Sequence, residues 1–147
     1  MQGEPITVLL VEDEPAHAEI VKRNLEIIQI SNKLIHMTDG QTALDYLYRH
    51  NAFSDPLASP RPGLILLDLR LPKVDGLQVL KTIKDDPDLR NIPVVILTTS
   101  ASEADIAMAY IYNVNSYLVK PVDFTQFSEL LETICSYWLR WNHPSIT

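Results

Sequence analysis

Short apolar segments alternate along the chain with longer stretches whose apolar residues recur every three or four positions. Four of the apolar segments span residues 6–11, 64–67, 94–97 and 116–119, and each is too short to form a helix of ordinary length. Residues 33–38 alternate between polar and apolar side chains, which is typical of a less buried edge strand. We therefore predict five β-strands, and we expect the first and third, which are apolar on both faces, to be buried in a parallel sheet.

The stretches between and after these strands have the periodicity of amphipathic helices. Pro15 stands where a first helical turn tolerates proline, and Ser102 and Asp123 stand where side chains cap a helix. The apolar positions of the five predicted helices are Ile20, Val21, Leu25 and Ile28; Ala43, Leu44 and Leu47; Leu77, Leu80 and Ile83; Ala104, Ala107, Met108 and Ile111; and Phe127, Leu130, Leu131, Ile134 and Trp138. Repeated strand–helix units of this kind, with right-handed crossovers, favour a flavodoxin-like (βα)5 doubly wound parallel sheet with strand order 2-1-3-4-5.

Residues 51–63 interrupt this regular alternation. Pro56, Pro60 and Pro62 fall here among serine and aspartate, and prolines this dense prevent a regular ladder or helix. We predict a surface loop of about a dozen residues, which is long enough to suggest a role of its own. The chain shows no internal repeat and no second pattern, so we expect residues 1–147 to form one domain, with a core at about 5–140 and a short tail at 141–147.

The composition argues against several kinds of partner. The 147 residues carry a formal net charge of −7, and an acidic domain is a poor non-specific binder of nucleic acid or anionic lipid. No apolar stretch approaches the roughly twenty residues that a membrane span needs. The one cysteine, Cys135, cannot form an intrachain disulfide, which fits a reducing compartment. We therefore expect a cytoplasmic protein without a nucleic-acid or membrane partner.

Polar side chains stand at the ends of four of the predicted strands. Glu12 and Asp13 follow the first strand, and Asp68 follows the third. Thr98 and Lys120 end the fourth and fifth strands. Because open parallel sheets bind ligands at the carboxyl ends of their strands, we expect these side chains to converge. A hard divalent cation such as Mg²⁺ would relieve the repulsion among three carboxylates; the alternative is a protonated carboxylate or a pair with Lys120.

These residues lie in four motifs that occur in a fixed order. The motifs are LLVEDE at residues 9–14, LLDLRLPKVDG at 66–76, VVILTTS at 94–100 and YLVKP at 117–121. Asp68 and Thr98 are 30 positions apart, and Lys120 follows Thr98 by 22. Over roughly residues 5–140, the chain resembles the receiver domain of two-component response regulators. The segments LPKVDG, IPVVILTTSA and NSYLVKP are most similar to the stand-alone receivers that serve cyanobacterial phytochromes.

The resemblance implies that Asp68 is the phosphoacceptor, which takes a phosphoryl group from a sensor histidine kinase and becomes an acyl phosphate. It implies a Mg²⁺ site made of Glu12, Asp13, Asp68 and the backbone carbonyl of Arg70. Such a domain is not an enzyme with a separate substrate, although it supports its own Mg²⁺-dependent phosphorylation and dephosphorylation. Since no output domain follows in this sequence, we expect the signal to pass to a downstream phosphorelay or effector protein.

The resemblance also implies roles for the other side of the pocket. Thr98 and Lys120 would contact the phosphoryl oxygens. Thr98 and Tyr117 would form a switch, in which the tyrosine ring turns inward when Thr98 moves toward the phosphoryl group. The family has a cis peptide bond before the matching proline, so a cis bond is expected between Lys120 and Pro121. Arg70 is bulkier than the residue that many receivers have beside the pocket, which bears on the lifetime of the phosphoryl group.

Two other functions remain open. One is a scaffold that keeps the fold without being phosphorylated, although such degenerate receivers usually lose an acidic residue or the lysine. The other is a Mg²⁺-dependent phosphohydrolase with an aspartyl nucleophile, which would need a second aspartate at the position of Arg70. The four histidines lack ligand spacing and are expected to have surface or helix roles: His17, His36, His50 and His143.

The last two helices predict an interface. The four apolar positions given above for the fourth helix are expected to face the sheet, which leaves Ile106 and Tyr110 on its opposite side. The final helix, residues 123–141, would run about 28 Å and extend past the sheet with Trp138 and Trp141. We predict a homodimer through the helix–strand–helix face of residues 103–141, and the alternative is that these side chains fold back onto their own domain.

Overall fold

Five parallel strands build one sheet. The structure, a computed structural model, describes residues 5–144 of the chain. The strands are β1 (Ile6–Val11), β2 (Asn32–Met37), β3 (Leu64–Leu67), β4 (Val94–Thr98) and β5 (Ser116–Val119). They lie in the order β2-β1-β3-β4-β5, and each neighbouring pair is parallel. The flavodoxin-like strand order predicted from the sequence is confirmed.

Five α-helices follow the strands within residues 5–144. They are α1 (Pro15–Ile27), α2 (Gly40–Tyr48), α3 (Gly76–Asp85), α4 (Glu103–Ile111) and α5 (Phe124–Ser136), with a 3₁₀ turn over Asn51–Phe53 and a π-helical turn over Tyr137–Trp141. Ser102 and Asp123 cap α4 and α5 as predicted, because their side chains accept hydrogen bonds from N–H groups in the first helical turn. None of the helices described is long and apolar enough to cross a membrane.

The core lies on both faces of the sheet. Side chains of α2, α3 and α4 pack on one face against alternate strand residues such as Leu9 and Ile65. Side chains of α1 and α5 pack on the other face against Val8 and Leu66. Successive residues of β1 and β3 therefore point into two different apolar clusters, which explains why both strands are apolar throughout.

The strand register brings four strand ends to one edge of the sheet. Val11 pairs with Leu67 across β1 and β3, and Thr98 pairs with Val119 across β4 and β5. Because these parallel neighbours end together, the residues that follow them share the same edge of the fold. This register positions the polar side chains described below.

Helix α4 presents a different face to the sheet from the one predicted. Ala109 is its buried residue, and three of the four positions predicted to face inward are exposed: Ala104, Ala107 and Ile111. Apolar residues occur on all sides of this helix, so periodicity could not select its inward face. The orientation agrees instead with the contacts of Asp105, whose side chain bonds Arg70 in the loop after β3.

The carboxyl-terminal end of α5 separates the two tryptophans. α-Helical hydrogen bonding ends at Ser136, and the π-helical turn continues to Trp141. Trp138 is half-buried against the cluster formed by α1 and α5, whereas Trp141 is 71% exposed. The prediction that both side chains extend past the sheet is therefore wrong for Trp138. Of the predicted tail, residues 145–147 lie outside the described residues, as do residues 1–4.

The proline-rich loop of residues 51–63 is held against α2. The hydroxyl of Tyr46 donates to the carbonyl of Pro60 at 2.6 Å, and Arg49 Nε donates to the carbonyl of Ser59 at 3.2 Å. Most of its residues are exposed, as predicted for a surface loop. The loop lacks helix and strand beyond its 3₁₀ turn, but side-chain hydrogen bonds fix its path.

Candidate functional site

Asp68 is the first residue after β3, and it is only 7% exposed. The backbone N–H groups of Leu69 and Arg70 donate to its Oδ1 at 2.7 and 3.4 Å. Its Oδ2 accepts from the Lys120 ammonium at 3.3 Å. Both carboxylate oxygens therefore have donors that favour the ionised form.

A glycine allows the loop after β3 to close tightly beside Asp68. The Gly76 N–H donates to the carbonyl of Leu69 at 2.9 Å. A Cβ atom at Gly76 would lie 2.2 Å from the carbonyl oxygen of Asp68 and 2.6 Å from Leu69 Cα, which is closer than atomic contact allows. The start of α3 can approach Asp68 this closely only because position 76 has no side chain.

Three carboxylates meet at this edge of the sheet. One oxygen each from Glu12, Asp13 and Asp68 lies within 4.8 Å of the other two. Glu12 is buried, whereas Asp13 is exposed at the rim. Hard oxygen donors at this separation fit a divalent cation such as Mg²⁺. The structure thus brings together the three acidic side chains that the sequence predicted to converge.

Lys120 enters the same pocket and is also buried. Its ammonium donates to Glu12 and to Asp68, and it lies 2.9 Å from Nδ1 of His17. An ammonium has three N–H donors, so these three contacts use all of them. The acidic cluster and the pairing with Lys120, which the sequence offered as alternatives, occur together in this structure.

The peptide bond between Lys120 and Pro121 is trans, since residues 5–144 contain no cis peptide. The expectation of a cis bond at this position is therefore wrong for this structure. Lys120 reaches the pocket without it. Its N–H donates to the carbonyl of Thr98 at 2.7 Å, which holds the end of β5 beside β4, and its long side chain spans the remaining distance to Glu12.

His17 belongs to the pocket, although the sequence analysis assigned it a surface or helix role. It lies in the first turn of α1, and its ring packs edge-on against Phe127 with 5.5 Å between ring centroids. Burial lowers the pKa of His17, and the charge of Lys120 lowers it further. A neutral imidazole nitrogen can accept a hydrogen bond from Lys120. The spacing of the histidines gave no sign of this role. The sequence does place His17 a few residues after Glu12 and Asp13, in a helix that begins at the same edge of the sheet, and this position could have indicated it.

The two buried carboxylates have opposite pKa shifts. Burial raises the pKa of Glu12 to about 7, although its hydrogen bond with Lys120 acts in the opposite direction. Burial also acts to raise the pKa of Asp68, but the charge of Lys120 and a hydrogen bond with Thr98 outweigh it and hold that pKa below its ordinary value. Asp68 is therefore the carboxylate that stays ionised, and an ionised carboxylate is the form that acts as a nucleophile.

Thr98 and Tyr117 are connected through Ser100. Thr98 is fully buried at the end of β4, and its hydroxyl oxygen accepts from the Ser100 N–H at 3.4 Å. The Tyr117 hydroxyl donates to the carbonyl of Ser100 at 2.8 Å, and its ring packs against the core. The ring of the predicted switch tyrosine is thus half-buried in this structure, and its hydroxyl is bonded to the loop after β4.

The residues predicted for an interface lie on another surface and differ in exposure. Tyr110 is 54% exposed, and Ile106 is half-buried. Ile111, which the sequence analysis placed inward, is 65% exposed next to Tyr110. The large apolar side chains exposed on α4 are therefore Tyr110 and Ile111, while Tyr137 and Trp141 are exposed aromatic residues beyond the end of α5.

Comparison with known proteins identifies relatives that span nearly the whole chain. Residues 8–132 match the family model described as the response regulator receiver domain. The probable methanogenesis regulatory protein FilR2 of Methanothrix harundinacea is 47% identical over 139 residues, which cover 95% of this chain and 87% of FilR2. Response regulator Rcp1 of Synechocystis is 43% identical over 135 residues, which cover 92% of this chain and 90% of Rcp1.

Solved structures agree with these matches. The crystal structure of the Mn²⁺-bound form of Rcp1 has a TM-score of 0.92 at 41% identity, covering 96% of this chain and 99% of that one. The phosphorylated cyanobacterial phytochrome response regulator RcpA has a TM-score of 0.91 at 36% identity, covering 95% of this chain and 98% of that one. The resemblance to cyanobacterial phytochrome response regulators is therefore confirmed. The motifs, the strand order and these relatives show together that this chain belongs to the response regulator receiver domain family of two-component signalling.

Proposed function

We propose that this receiver domain accepts a phosphoryl group on Asp68 from the phosphohistidine of a sensor histidine kinase, and that the kinase is of the phytochrome type. The observation that carries the proposal is the environment of Asp68. Its carboxylate has a lowered pKa and faces the buried ammonium of Lys120. Burial raises the pKa of the neighbouring Glu12, so a proton bound by this acidic cluster resides on Glu12 and not on Asp68.

In the proposed transfer, a carboxylate oxygen of Asp68 attacks the phosphorus of the phosphohistidine. The new O–P bond forms as the N–P bond breaks, and the imidazole leaves with the electron pair of that bond. Phosphoryl transfer is catalysed mainly by positioning and by stabilisation of charge. Lys120 supplies a positive charge, and the N–H that it now donates to Asp68 would pass to one phosphoryl oxygen. The buried hydroxyl of Thr98 supplies a donor for another.

The donor set of the pocket fits Mg²⁺. Glu12, Asp13, Asp68 and the backbone carbonyl of Arg70 would hold the ion, and the relative Rcp1 has been solved in a Mn²⁺-bound form. When bound, the ion supplies positive charge that balances the negative charge of the phosphoryl oxygens. The exposure of Asp13 leaves this side of the pocket open to ions from solvent.

A kinase must dock on a surface that borders Asp68, and the β5–α5 region offers one. Val122 and Phe124 are exposed apolar side chains just after the pocket lysine. Phe124 also lines, with Ile20, a groove of about 510 Å³ between α1 and α5. We propose that the kinase helix that carries the phosphohistidine contacts this groove.

We propose a phytochrome-type kinase because this chain is similar to RcpA, which is described as a cyanobacterial phytochrome response regulator. FilR2 is named as a probable methanogenesis regulatory protein, and that name does not mention a phytochrome.

Output is proposed to occur through protein–protein contacts that depend on phosphorylation, with a downstream phosphorelay or effector protein. We also propose a homodimer through the helix–strand–helix face of residues 103–141, with the exposed side chains of Tyr110, Ile111 and Trp141 in the contact. We place this signalling in the cytoplasm.

Two alternatives fit the pocket less well. An aspartyl phosphohydrolase needs a general acid two residues after Asp68, and Arg70 stands there with its guanidinium paired to Asp105. A scaffold without phosphorylation would not need a buried lysine between two carboxylates, because burying these charges is costly.

The kinase proposal is tested by phosphotransfer from purified, labelled phytochrome-type and unrelated histidine kinases. Rapid transfer from the phytochrome-type kinase alone supports it. The Phe124→Glu variant should slow this transfer while labelling by acetyl phosphate stays unchanged, since a small donor needs no docking surface. Equal transfer from all kinases, or equal transfer to Phe124→Glu, would contradict the partner and the docking surface respectively.

A further inference from the structure

One carboxylate connects the loop after Asp68 to the first turn of α4. Arg70 Nη2 donates to Asp105 Oδ2 at 2.8 Å, across 35 positions of sequence. The same oxygen accepts from Ser100 Oγ at 2.6 Å, and the carbonyl of Ser100 accepts from Tyr117. The phosphoacceptor loop, α4 and the tyrosine of the predicted switch are therefore joined through Asp105 and Ser100.

Arg70 has its backbone at the pocket and its side chain outside it. Its N–H donates to Asp68 Oδ1 at 3.4 Å, whereas its guanidinium extends to Asp105 and is largely exposed. The long, flexible arginine side chain could instead turn back over Asp68. This one cation thus lies within reach of two anionic positions.

A phosphoryl group on Asp68 would change the balance between these positions. Ion pairs between exposed side chains are weak, and the Arg70 end of this pair is exposed. A phosphoryl group carries about two negative charges and three acceptor oxygens, and a guanidinium matches its geometry with paired hydrogen bonds. The phosphorylated residue is therefore the stronger competitor for Arg70.

Asp105 loses little when Arg70 leaves. Its Oδ2 keeps the hydrogen bond from Ser100. It also lies in the first turn of α4, where the helix dipole favours a negative charge. The Asp105 side chain is only 16% exposed, but when the ion pair opens its charge keeps this hydrogen bond and the favourable helix dipole.

We propose that Asp105 is a positioning residue that holds Arg70 away from Asp68, and that the phosphoryl group on Asp68 competes with Asp105 for this guanidinium. This inference rests on the proposed phosphorylation and concerns the regulation of the same site. In dephosphorylation, water attacks phosphorus, the bond between phosphorus and the Asp68 oxygen breaks, and inorganic phosphate leaves. Arg70 bound to the phosphoryl oxygens covers the phosphorus against that water, so Asp105 shortens the lifetime of the acyl phosphate.

The same exchange connects phosphorylation to α4. When Arg70 turns to the phosphoryl group, the first turn of α4 loses its contact with the β3–α3 loop. Of the two side chains that bond the Asp105 carboxylate, only Ser100 then remains. Asp105 lies in the same helix as the exposed Tyr110 and Ile111. Phosphorylation can thereby alter the surface proposed for partner binding.

The test compares decay rates of the acyl phosphate by intact mass after acetyl phosphate and Mg²⁺ are removed. The variants are Asp105→Asn, Asp105→Ala, Arg70→Met and the Asp105→Asn, Arg70→Met double variant. We expect both Asp105 variants to lengthen the half-life by about threefold or more, the size expected for loss of an ion pair that is exposed at one end. In the Arg70→Met background, Asp105→Asn should have no effect. Asp105→Glu should restore the wild-type rate, and Glu103→Gln, in the same helical turn, is the matched control.

Two results would overturn the inference. One is decay in the Asp105 variants that is as fast as in the wild type or faster. The other is the same lengthening with and without Arg70, because Asp105 would then act independently of it. Wild-type protein that takes up no phosphoryl group at all would instead contradict the proposed function. Thermal unfolding of each variant separates these effects from loss of the fold.

Discussion

The Lys120 ammonium lies 3.3 Å from Oδ2 of Asp68 while it also donates to Glu12. One buried cation thus contacts two carboxylates, and it holds Asp68 ionised whereas burial keeps the pKa of Glu12 near 7. Buried charges of this kind are stable only when their hydrogen-bond donors and acceptors have partners. His17 accepts the third hydrogen bond of the ammonium. The pocket is therefore organised around Asp68 before any phosphoryl group arrives.

Asp13 tests the metal site. It is the exposed member of the acidic cluster, so the Asp13→Asn variant should keep or slightly raise the stability of the metal-free protein by relieving repulsion. In wild type, Mg²⁺ at about 100 times its Kd should add about 2.7 kcal/mol to the free energy of unfolding, and the variant should lose this gain. Denaturant unfolding with and without Mg²⁺ measures both, with Glu26→Gln as an exposed acidic control. A clear loss of metal-free stability in Asp13→Asn would show that this carboxylate is structural.

Glu12 predicts how the stability of the metal-free protein depends on pH. Its folded pKa of about 7 lies above the ordinary value of 4.5, so between these values the folded state binds a proton that the unfolded state lacks. This bound proton contributes up to roughly 3 kcal/mol to the free energy of unfolding. The contribution is complete below pH 4.5 and is lost as the pH rises through the folded pKa of Glu12. The lowered pKa of Asp68 acts below its ordinary value of 3.8 and so outside this window. The lowered pKa of His17 acts inside it and makes stability rise with pH up to the ordinary value of 6.5, so the contribution of Glu12 is measured as the difference between wild type and Glu12→Gln. Unfolding measured from pH 5 to 8 should show that wild type loses stability relative to Glu12→Gln as the pH rises; equal profiles would contradict the assignment.

Gly76 should tolerate no side chain. In the Gly76→Ala variant the new Cβ would meet the carbonyl of Asp68 at 2.2 Å, so the loop must move. We expect a loss of about 1–3 kcal/mol or more in the free energy of unfolding, together with slower phosphorylation. Gly63→Ala is the control, because there the nearest atom is the side-chain methyl of Ile6 at 3.0 Å. If Gly76→Ala and Gly63→Ala lost equal free energy of unfolding in urea, the close approach of α3 to Asp68 would not be what requires glycine at position 76.

The proposed homodimer depends on the exposed side of α4. Sedimentation velocity of wild type should show a dimer, and a Tyr110→Glu, Ile111→Glu double variant should be a monomer, because charges would replace the exposed apolar surface. Leu57→Glu, which changes an exposed apolar residue in the proline-rich loop, should leave the dimer intact. A monomeric wild type, or a double variant that still dimerises, would refute this interface.

The sequence predicted the features that depend on periodicity and on strand ends. Alternating strands and helices determine the order of the sheet, and parallel strands that end together determine that Asp68 and Lys120 share one edge. Both predictions follow from backbone geometry, which local patterns encode well.

Features that depend on packing between distant elements were not predictable in this way. His17 enters the pocket because α1 packs beside α5, which brings it to Lys120, a residue 103 positions away in the sequence. The predicted cap Ser102 does accept a hydrogen bond from the Asp105 N–H, but the contacts of the Asp105 carboxylate with Arg70 and Ser100 have no local sequence pattern. The inward face of α4 also differed from the prediction, because apolar residues surround that helix.

The most direct test of the account is the mass gained by the protein on incubation with acetyl phosphate and Mg²⁺. Wild type should gain the mass of one phosphoryl group, and Asp68→Asn, which keeps the shape of the side chain but lacks the nucleophilic carboxylate, should gain none. Asp55→Asn, in the exposed loop, should be labelled like wild type. Labelling of Asp68→Asn equal to that of wild type, or no labelling of the folded wild type, would contradict the assignment of Asp68 as the phosphoacceptor.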